Sequence, residues 1–375
     1  MTNAQRLPGS LTPLDVALHA VLGTLAPVAP IELPLADALR SVAAEMPPLG
    51  AQPPRDAAAA DGWAMRANDL VGASSYAPLP LIAPPVWVEA GDVMPDGTDC
   101  VVDADVVDTS GPVAQVLGEA VPGQGVRRGG RDIGEGRAMT EPGRRVLPRD
   151  LLLARTAGLQ KLGVRRPRLR LVNIPGGQTP GGRATVQFVA EAARAAGADV
   201  ISVEATGRDA AAIASALDTG NCDLLITVGG TGVGRTDATV TALASRGEVL
   251  VHGIALQPGR TAAVARIGVT PVVALPGGPD QAFGAWCAIA LPVLDRLAGH
   301  RARKTLGLPL ARKIASSVGL AEMVLLERRQ GRWAALAVGD LSLDAIARAE
   351  AFLVVPGGGE GFAAGTPVDA YMLRE

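Results

Sequence analysis

Lysine is nearly missing from this chain: it occurs at Lys161, Lys304 and Lys313 alone, so arginine carries almost all the positive charge. Cysteine and histidine are as scarce, with 3 of each in 375 residues. Cys100, Cys222 and Cys287 lie far apart and form no C-x-x-C, which excludes a cysteine-only zinc site and argues against a disulfide framework. The scattered histidines make no obvious metal cluster. No apolar run approaches the roughly 20 residues that a membrane-spanning helix needs. One arginine precedes an amphipathic stretch with Asp15 and His19, which makes a poor signal peptide. A cytoplasmic, reducing location is therefore expected, with no membrane partner. The net charge of −2 argues against a broad nucleic-acid surface, and no nucleic-acid partner is expected.

What is present is a globular composition, 48% apolar and 19% charged, which rules out a disordered chain. The length predicts about two to four domains. The most informative stretch is Cys222 to Ser245. Leu224 to Val228 is a short apolar run rich in β-branched residues, as in a strand buried on both faces of a parallel sheet. Gly229-Gly230-Thr231-Gly232-Val233-Gly234 follows, and from Asp237 the pattern turns helical, with Thr236 or Asp237 as the expected cap. Strand, glycine loop and helix together suit an anionic ligand: glycines allow close approach, and a helix N-terminus presents free N–H groups. Arg235 stands where a P-loop needs its lysine, and also where the third glycine of a dinucleotide fingerprint would fall. Neither fingerprint is met.

The rest of the chain frames that stretch. Thr12 to Leu25 and Leu35 to Ala44 read as short helices. Asp61-Gly62 is a turn dipeptide after a proline loop. Residues 79–135 read as short strands broken by glycine and proline. Arg127 to Asp132 is either a solvated loop or an anion site. Leu151 to Gly158 is a further helix. Residues 169–299 alternate strand and helix: strands at Leu169–Asn173, Val200–Val203 and Leu224–Val228, helices at Ala184–Ala196 and Asp209–Leu217, and a last helix at Asp280–Leu297. That series predicts a mostly parallel sheet with helices on both faces and a ligand at the strands' carboxyl ends. The glycine turns after Asn173, Val228 and Leu275 all fall there. Residues 304–375 return to short strands.

Taken together, the motifs resemble the molybdopterin molybdenumtransferase family (MoeA and the E domain of gephyrin). ADGWAMRAND at 60–69, VEAGDVMPDGTDCVV at 88–102 and RRGGRDIGEG at 127–136 are similar to its MDGYAVR, TGA-x-LP-x-GAD-x-VV and R-x-x-GEDI-x-x-G segments. VGGTGVGRTD at 228–237, GIALQPGR at 253–260 and LPGGP at 275–279 are similar to its SGG-x-S-x-G-x-x-D, PGKP and LPGNP stretches, all in the family's order. The resemblance implies a multi-domain α/β fold. Its parts would be a MoaB/Mog-like domain at 166–300, a β-rich domain at 46–135, and a helical dimerisation domain from 1–45 with 136–165. A β-rich C-terminal domain at 301–375 completes it.

It also implies a homodimer that inserts molybdenum from molybdate into adenylylated molybdopterin, releasing AMP, with Mg²⁺ as the divalent ion. Molybdoenzymes or other cofactor-biosynthesis proteins are the further partners it implies. By position, Asp61, Asp132, Asp237 and Gln178 match the catalytic residues, and Asp237 with Asp209 the metal ligands. Gly229, Gly230, Thr231, Gly232, Gly234, Arg235, Thr236, Arg260, Pro276 and Gly277 match the substrate site. The chain departs from the pattern at one turn. The family's TGDEL is here Ile174-Pro175-Gly176-Gly177-Gln178, which loses both carboxylates. Gln257, Arg260 and Gly278 replace two lysines and an asparagine, and Arg208 stands beside Asp209 in place of an acidic pair. These losses leave a second reading open, a paralogue that binds a pterin cofactor or a partner enzyme.

Overall fold

The computed structural model describes residues 5–176 and 181–373. The chain divides into two compact units, one of residues 1–44, 142–146 and 163–375, the other of 45–141 and 147–162.

The first unit is built on helix α1 (Leu14–Leu22) and strands β1 (Arg168–Asn173), β2 (Asp199–Glu204), β3 (Leu224–Val228), β4 (Glu248–His252), β5 (Ile254–Gln257), β6 (Ala263–Ile267) and β7 (Thr270–Leu275). Six of these form one sheet in the order β2-β1-β3-β7-β6-β4. The first four run parallel, while β6 and β4 are antiparallel additions at one edge. The sheet is thus mostly parallel, as the alternation of strand and helix predicts. Helices α2 (Gly181–Ala195), α3 (Ala210–Ala216), α4 (Thr239–Arg246), α5 (Pro279–Ala285) and α6 (Leu291–Ala298) cover it.

Strand β3 shows why the apolar run is continuous. Leu224, Ile226 and Val228 enter a core with Val189 of α2, Phe283 of α5 and Leu294 of α6. Leu225 points the other way, into a core with Ile213 of α3 and Leu243 of α4. Successive side chains alternate between faces, so a strand covered on both sides is apolar at nearly every position, and here the fully buried Thr227 is the exception. Helix α1 buries Ala17 and Val21 in the first of these cores.

Register then fixes the place of the site. Asn173 pairs with Val228, and Val228 with Leu275. The carboxyl ends of β1, β3 and β7 are therefore level, and the turns that follow them lie side by side.

One expectation needs correction. The helix over Leu35–Ala44 does not form; the segment is turns followed by a short strand at Val42–Ala43. Arg40 adopts a left-handed φ of 67°, which no helix continues through. The backbone instead bonds elsewhere: Ala43 N–H to Arg144 O at 2.8 Å and Arg40 N–H to Val146 O at 2.9 Å. The helix expected over Asp280–Leu297 forms, running from Pro279 to Ala298 with one wider turn at Trp286–Ala290. Pro292 lacks the N–H that would reach Ala288, and such a widening relieves the clash of its ring with the preceding turn. Strand β5 lies outside the parallel sheet. It pairs with Thr12–Pro13 and with β9 in a second sheet built of β8 (Thr305–Pro309), β9 (Ala321–Arg329), β10 (Arg332–Val338), β11 (Ala351–Val355) and β12 (Pro367–Met372). Met323, Leu325 and Phe352 of that sheet enter the same core as β3.

The second unit is β-rich. Gly62–Met65 is the middle strand between Val86–Val88 and Cys100–Val102, all antiparallel. Gly62 sits where only hydrogen fits, because a Cβ there would collide with the carbonyl oxygen of Val102. Cys100 and Leu70 are fully buried in its core. One helix, Pro148–Thr156, agrees with the expected one. All three cysteines are free and buried. Burial pushes the Cys100 thiol up to about 11 and the Cys287 thiol to about 12, so neither is a thiolate at neutral pH.

Candidate functional site

The level strand ends open a cleft of about 580 Å³ in the first unit. One wall is Asn173, Ile174 and Gly176 after β1, a second is Gly229 to Gly232 after β3, and a third is Pro276 to Pro279 after β7. Short backbone bonds tie the turns together. Ile174 donates to Val228 O at 3.0 Å and Gly229 to Leu275 O at 2.9 Å. Thr185 Oγ1 donates to Gly277 O at 3.0 Å, fixing α2 to the third turn.

The glycine loop has two kinds of glycine. Gly229 and Gly230 have φ of 99° and 69°, where a side chain is strained, and a Cβ on Gly230 would collide with Thr239 Oγ1. That hydroxyl donates to Gly229 O at 2.8 Å and closes the turn from inside. Gly232 and Gly234 have no such φ. A Cβ on them would lie 2.7 Å and 2.9 Å from Asp237 Oδ2. These two glycines make room for a carboxylate folded back over the loop, which accepts the Gly234 N–H at 3.0 Å.

The cap of α4 corrects the sequence reading. Neither Thr236 nor Asp237 caps it; Ala238 is the cap residue and makes no side-chain bond. The Val240 N–H is satisfied by Gln5 Oε1 at 3.1 Å, and Gln5 Nε2 donates to Gly232 O at 2.7 Å. His252 Nε2 lies 3.0 Å from Thr231 O, and Thr231 Oγ1 lies 3.3 Å from Thr261 Oγ1. Burial holds the His252 pKa below its ordinary 6.5. The loop is thus pinned from behind, by the N-terminal segment and by β4.

Among the described residues, the charged side chains lining the cleft are Arg208 and Asp237. Arg208 Nη2 donates to Asp237 Oδ1 at 3.2 Å and Nη1 to Pro175 O at 2.6 Å. Arg208 therefore clasps the turn after β1 to the loop after β3. It lay outside the expected site; its one signal was its place beside Asp209 where the family pattern has an acidic pair. Gln5 gave no signal at all.

Of the other expected residues, Gly229, Gly230, Thr231, Gly232, Asp237, Pro276 and Gly277 line the cleft together. Arg235, Thr236 and Arg260 are exposed and do not line it, and Gly234 contributes through Asp237. Gln178 lies outside the described residues. Asp61 and Asp132 belong to the second unit. There Asp61 accepts the Ala90 N–H at 2.8 Å, and Asp132 pairs with Arg127 at 3.2 Å. Arg128 pairs with Asp56 at 2.6 Å, so the arginine-rich loop is an exposed, ion-paired one.

The expected metal ligands do not fit a divalent ion. Asp209 Oδ1 caps α3, accepting from Ala211 and Ala212 at 3.1 and 3.0 Å. Asp237 is engaged by Arg208 and Gly234 through both oxygens. Among the described residues, no group of three or more His, Cys, Asp or Glu side chains is placed to hold a metal. No described helix is long and apolar enough to cross a membrane.

Comparison with known proteins adds a family context. Residues 12–158 match the model of the MoeA N-terminal region (domain I and II), and residues 184–296 that of a probable molybdopterin binding domain. The chain is 31% identical over 292 residues to molybdopterin molybdenumtransferase 2 of Mycobacterium tuberculosis, covering 68% of this chain and 69% of that protein. It is 27% identical over 365 residues to a molybdopterin molybdenumtransferase of Synechococcus elongatus, covering 85% and 88%. The crystal structure of a molybdopterin biosynthesis MoeA protein from Pyrococcus horikosii superposes with a TM-score of 0.71 at 25% identity, covering 98% of this chain and all of that one.

Proposed function

Because this chain belongs to the molybdopterin molybdenumtransferase family, we propose that it serves molybdenum cofactor biosynthesis, taking a molybdopterin nucleotide into the cleft at the ends of β1, β3 and β7. The reaction proposed is insertion of molybdenum from molybdate into adenylylated molybdopterin, with release of AMP. The observation that carries this reading is the convergence of three level strand ends on one cleft with a glycine loop at its centre. Such a cleft sits where open α/β sheets bind ligands.

Each residue has a physical part in that reading. Gly229 to Gly232 let the ligand approach the backbone. One hydroxyl of the hydrogen-bonded Thr231–Thr261 pair and the Arg208 guanidinium donate to anionic oxygens. Asp237 is the carboxylate nearest the loop, and it orients Arg208. Relatives named as transferases, aligned over two thirds or more of their length, support the transferase above a binding-only paralogue. Asp61 and Asp132, both in the second unit, enter as proposed catalytic carboxylates, and the chain is proposed to act as a homodimer. Because the described donor set does not fit Mg²⁺, no step is assigned to that ion.

The test is incubation of the full chain with adenylylated molybdopterin and molybdate, measuring AMP release and molybdenum bound to the pterin. Stoichiometric AMP and metallated pterin support the reading. Binding without either product would leave a binding protein, and no binding would remove the pterin cleft altogether.

A further inference from the structure

We propose that Arg208 is a counter-ion built into the cleft, so that this chain binds the phosphates of a pterin nucleotide without a divalent metal ion. The inference rests on the reading of the cleft as a pterin-nucleotide site.

Charge is the starting point. A molybdopterin nucleotide and molybdate are both anions, and Asp237 is a carboxylate on the wall that receives them. Alone, Asp237 would repel them, and a bridging divalent cation is the ordinary remedy. Here Arg208 reaches Asp237 within the protein, at 3.2 Å, and cancels its charge. The second acidic side chain expected to hold the ion, Asp209, is engaged at the start of α3. Among the described residues the cleft therefore has no pair of free carboxylates for a metal, and its one acidic side chain is already met by a fixed guanidinium.

Arginine also suits the ligand. A guanidinium has five N–H donors in a planar fork, always charged and weakly hydrated. Arg208 uses one Nη donor on Pro175 O and another on Asp237. Its Nε is buried with no hydrogen-bond partner. The side chain is 32% exposed, so the remaining Nη hydrogens have access to the cleft. The two protein bonds fix the plane of the fork before a ligand arrives, and donors still unmatched gain most from a phosphate oxygen.

A purely structural role, clasping two turns, would leave metal dependence untouched, and that difference sets the experiment. Adenylylated molybdopterin is titrated into the full chain by calorimetry, in EDTA and in millimolar Mg²⁺. The wild-type protein is expected to bind equally in both, within about twofold. Arg208→Gln is expected to bind ~10-fold or more weakly in EDTA, the scale of a lost charge-assisted bond, and to regain affinity with Mg²⁺. Arg208→Lys, which keeps charge but not the fork, should fall between and serves if Arg208→Gln does not fold. Wild-type binding that is lost in EDTA and restored by Mg²⁺ overturns this inference while the proposed function stands. Equal losses for Arg208→Gln in both buffers also overturn it, leaving a clasp. Absence of wild-type binding in either buffer overturns both readings together.

Discussion

Gln5 and Gly232 are joined by a 2.7 Å hydrogen bond, from the side-chain amide of the first to the carbonyl of the second, across 227 positions of sequence. The same amide group accepts the Val240 N–H at 3.1 Å. One buried glutamine thus holds the back of the glycine loop and the first turn of α4. Gln5→Ala should leave both backbone groups without that partner, at about 0.5–1.5 kcal/mol for each neutral bond. Amide hydrogen exchange at Val240 should quicken and pterin-nucleotide affinity should fall. Unchanged exchange there would mean that the N-terminal segment does not brace the loop.

The two kinds of loop glycine should separate stability from binding. Gly230→Ala forces a side chain onto a φ of 69° and into Thr239 Oγ1, and should cost about 2–4 kcal/mol in urea unfolding. Gly232→Ala has no φ penalty; its Cβ would lie 2.7 Å from Asp237 Oδ2 and should displace the carboxylate. Its expected signature is weakened nucleotide binding with near-normal unfolding. Equal effects of the two on unfolding would show that both glycines serve only the turn.

Asp237→Asn is nearly isosteric and keeps an oxygen for the Gly234 N–H. It removes the charge that Arg208 meets at 3.2 Å. Fold and nucleotide binding in EDTA should survive, while AMP release should drop on the order of 10²-fold or more, as for loss of a well-placed charged group. Full activity in this variant would place the reacting chemistry elsewhere.

Gln178→Glu introduces the carboxylate that the resemblance implies for this turn, and AMP release should rise. Paired with Gln257→Lys it should rise further, without strict additivity if the two charges act at one site. A wild-type rate already equal to that of a relative with the intact turn would show the lost carboxylate to be dispensable.

Stability should depend on pH through two histidines. Burial is the first cause that lowers the pKa of both His252 and His300 below the ordinary 6.5. The unfolded chain then binds protons that the folded chain does not, so stability rises with pH across that window. It is fully present above about pH 6.5 and is lost as pH falls toward the folded values. Melting temperature between about pH 5 and 8 should show this slope, and His252→Gln with His300→Gln should flatten it. A slope unchanged by both substitutions would assign it to carboxylates instead.

Much of the parallel sheet was legible in the sequence because its signals are local. Leu224–Val228, covered on both faces, is apolar but for Thr227, and Gly229-Gly230 had to be glycine at positive φ. The family was legible from six short motifs in order. Where local signals and tertiary demands competed, the sequence misled. Leu35–Ala44 has helical spacing, yet its backbone pairs with Arg144 and Val146, and Arg40 turns left-handed. Ile254–Gln257 carries no local signal of its partner: it pairs with a strand some 65 residues further on, between Leu256 and Ala321. The site divided in the same way. Sequence alone placed the glycines and Asp237, since each belongs to a contiguous motif. Only the tertiary structure decided that Arg208 faces Asp237 and that Gln5 accepts the Val240 N–H in the first turn of α4. Those contacts join residues 29 and 235 positions apart, and no spacing rule reaches across such a distance. For Arg208 the cause is strand register: Glu204, Asn173 and Val228 lie level, which sets the turns after β2, β1 and β3 side by side, and register is set by packing over the whole sheet.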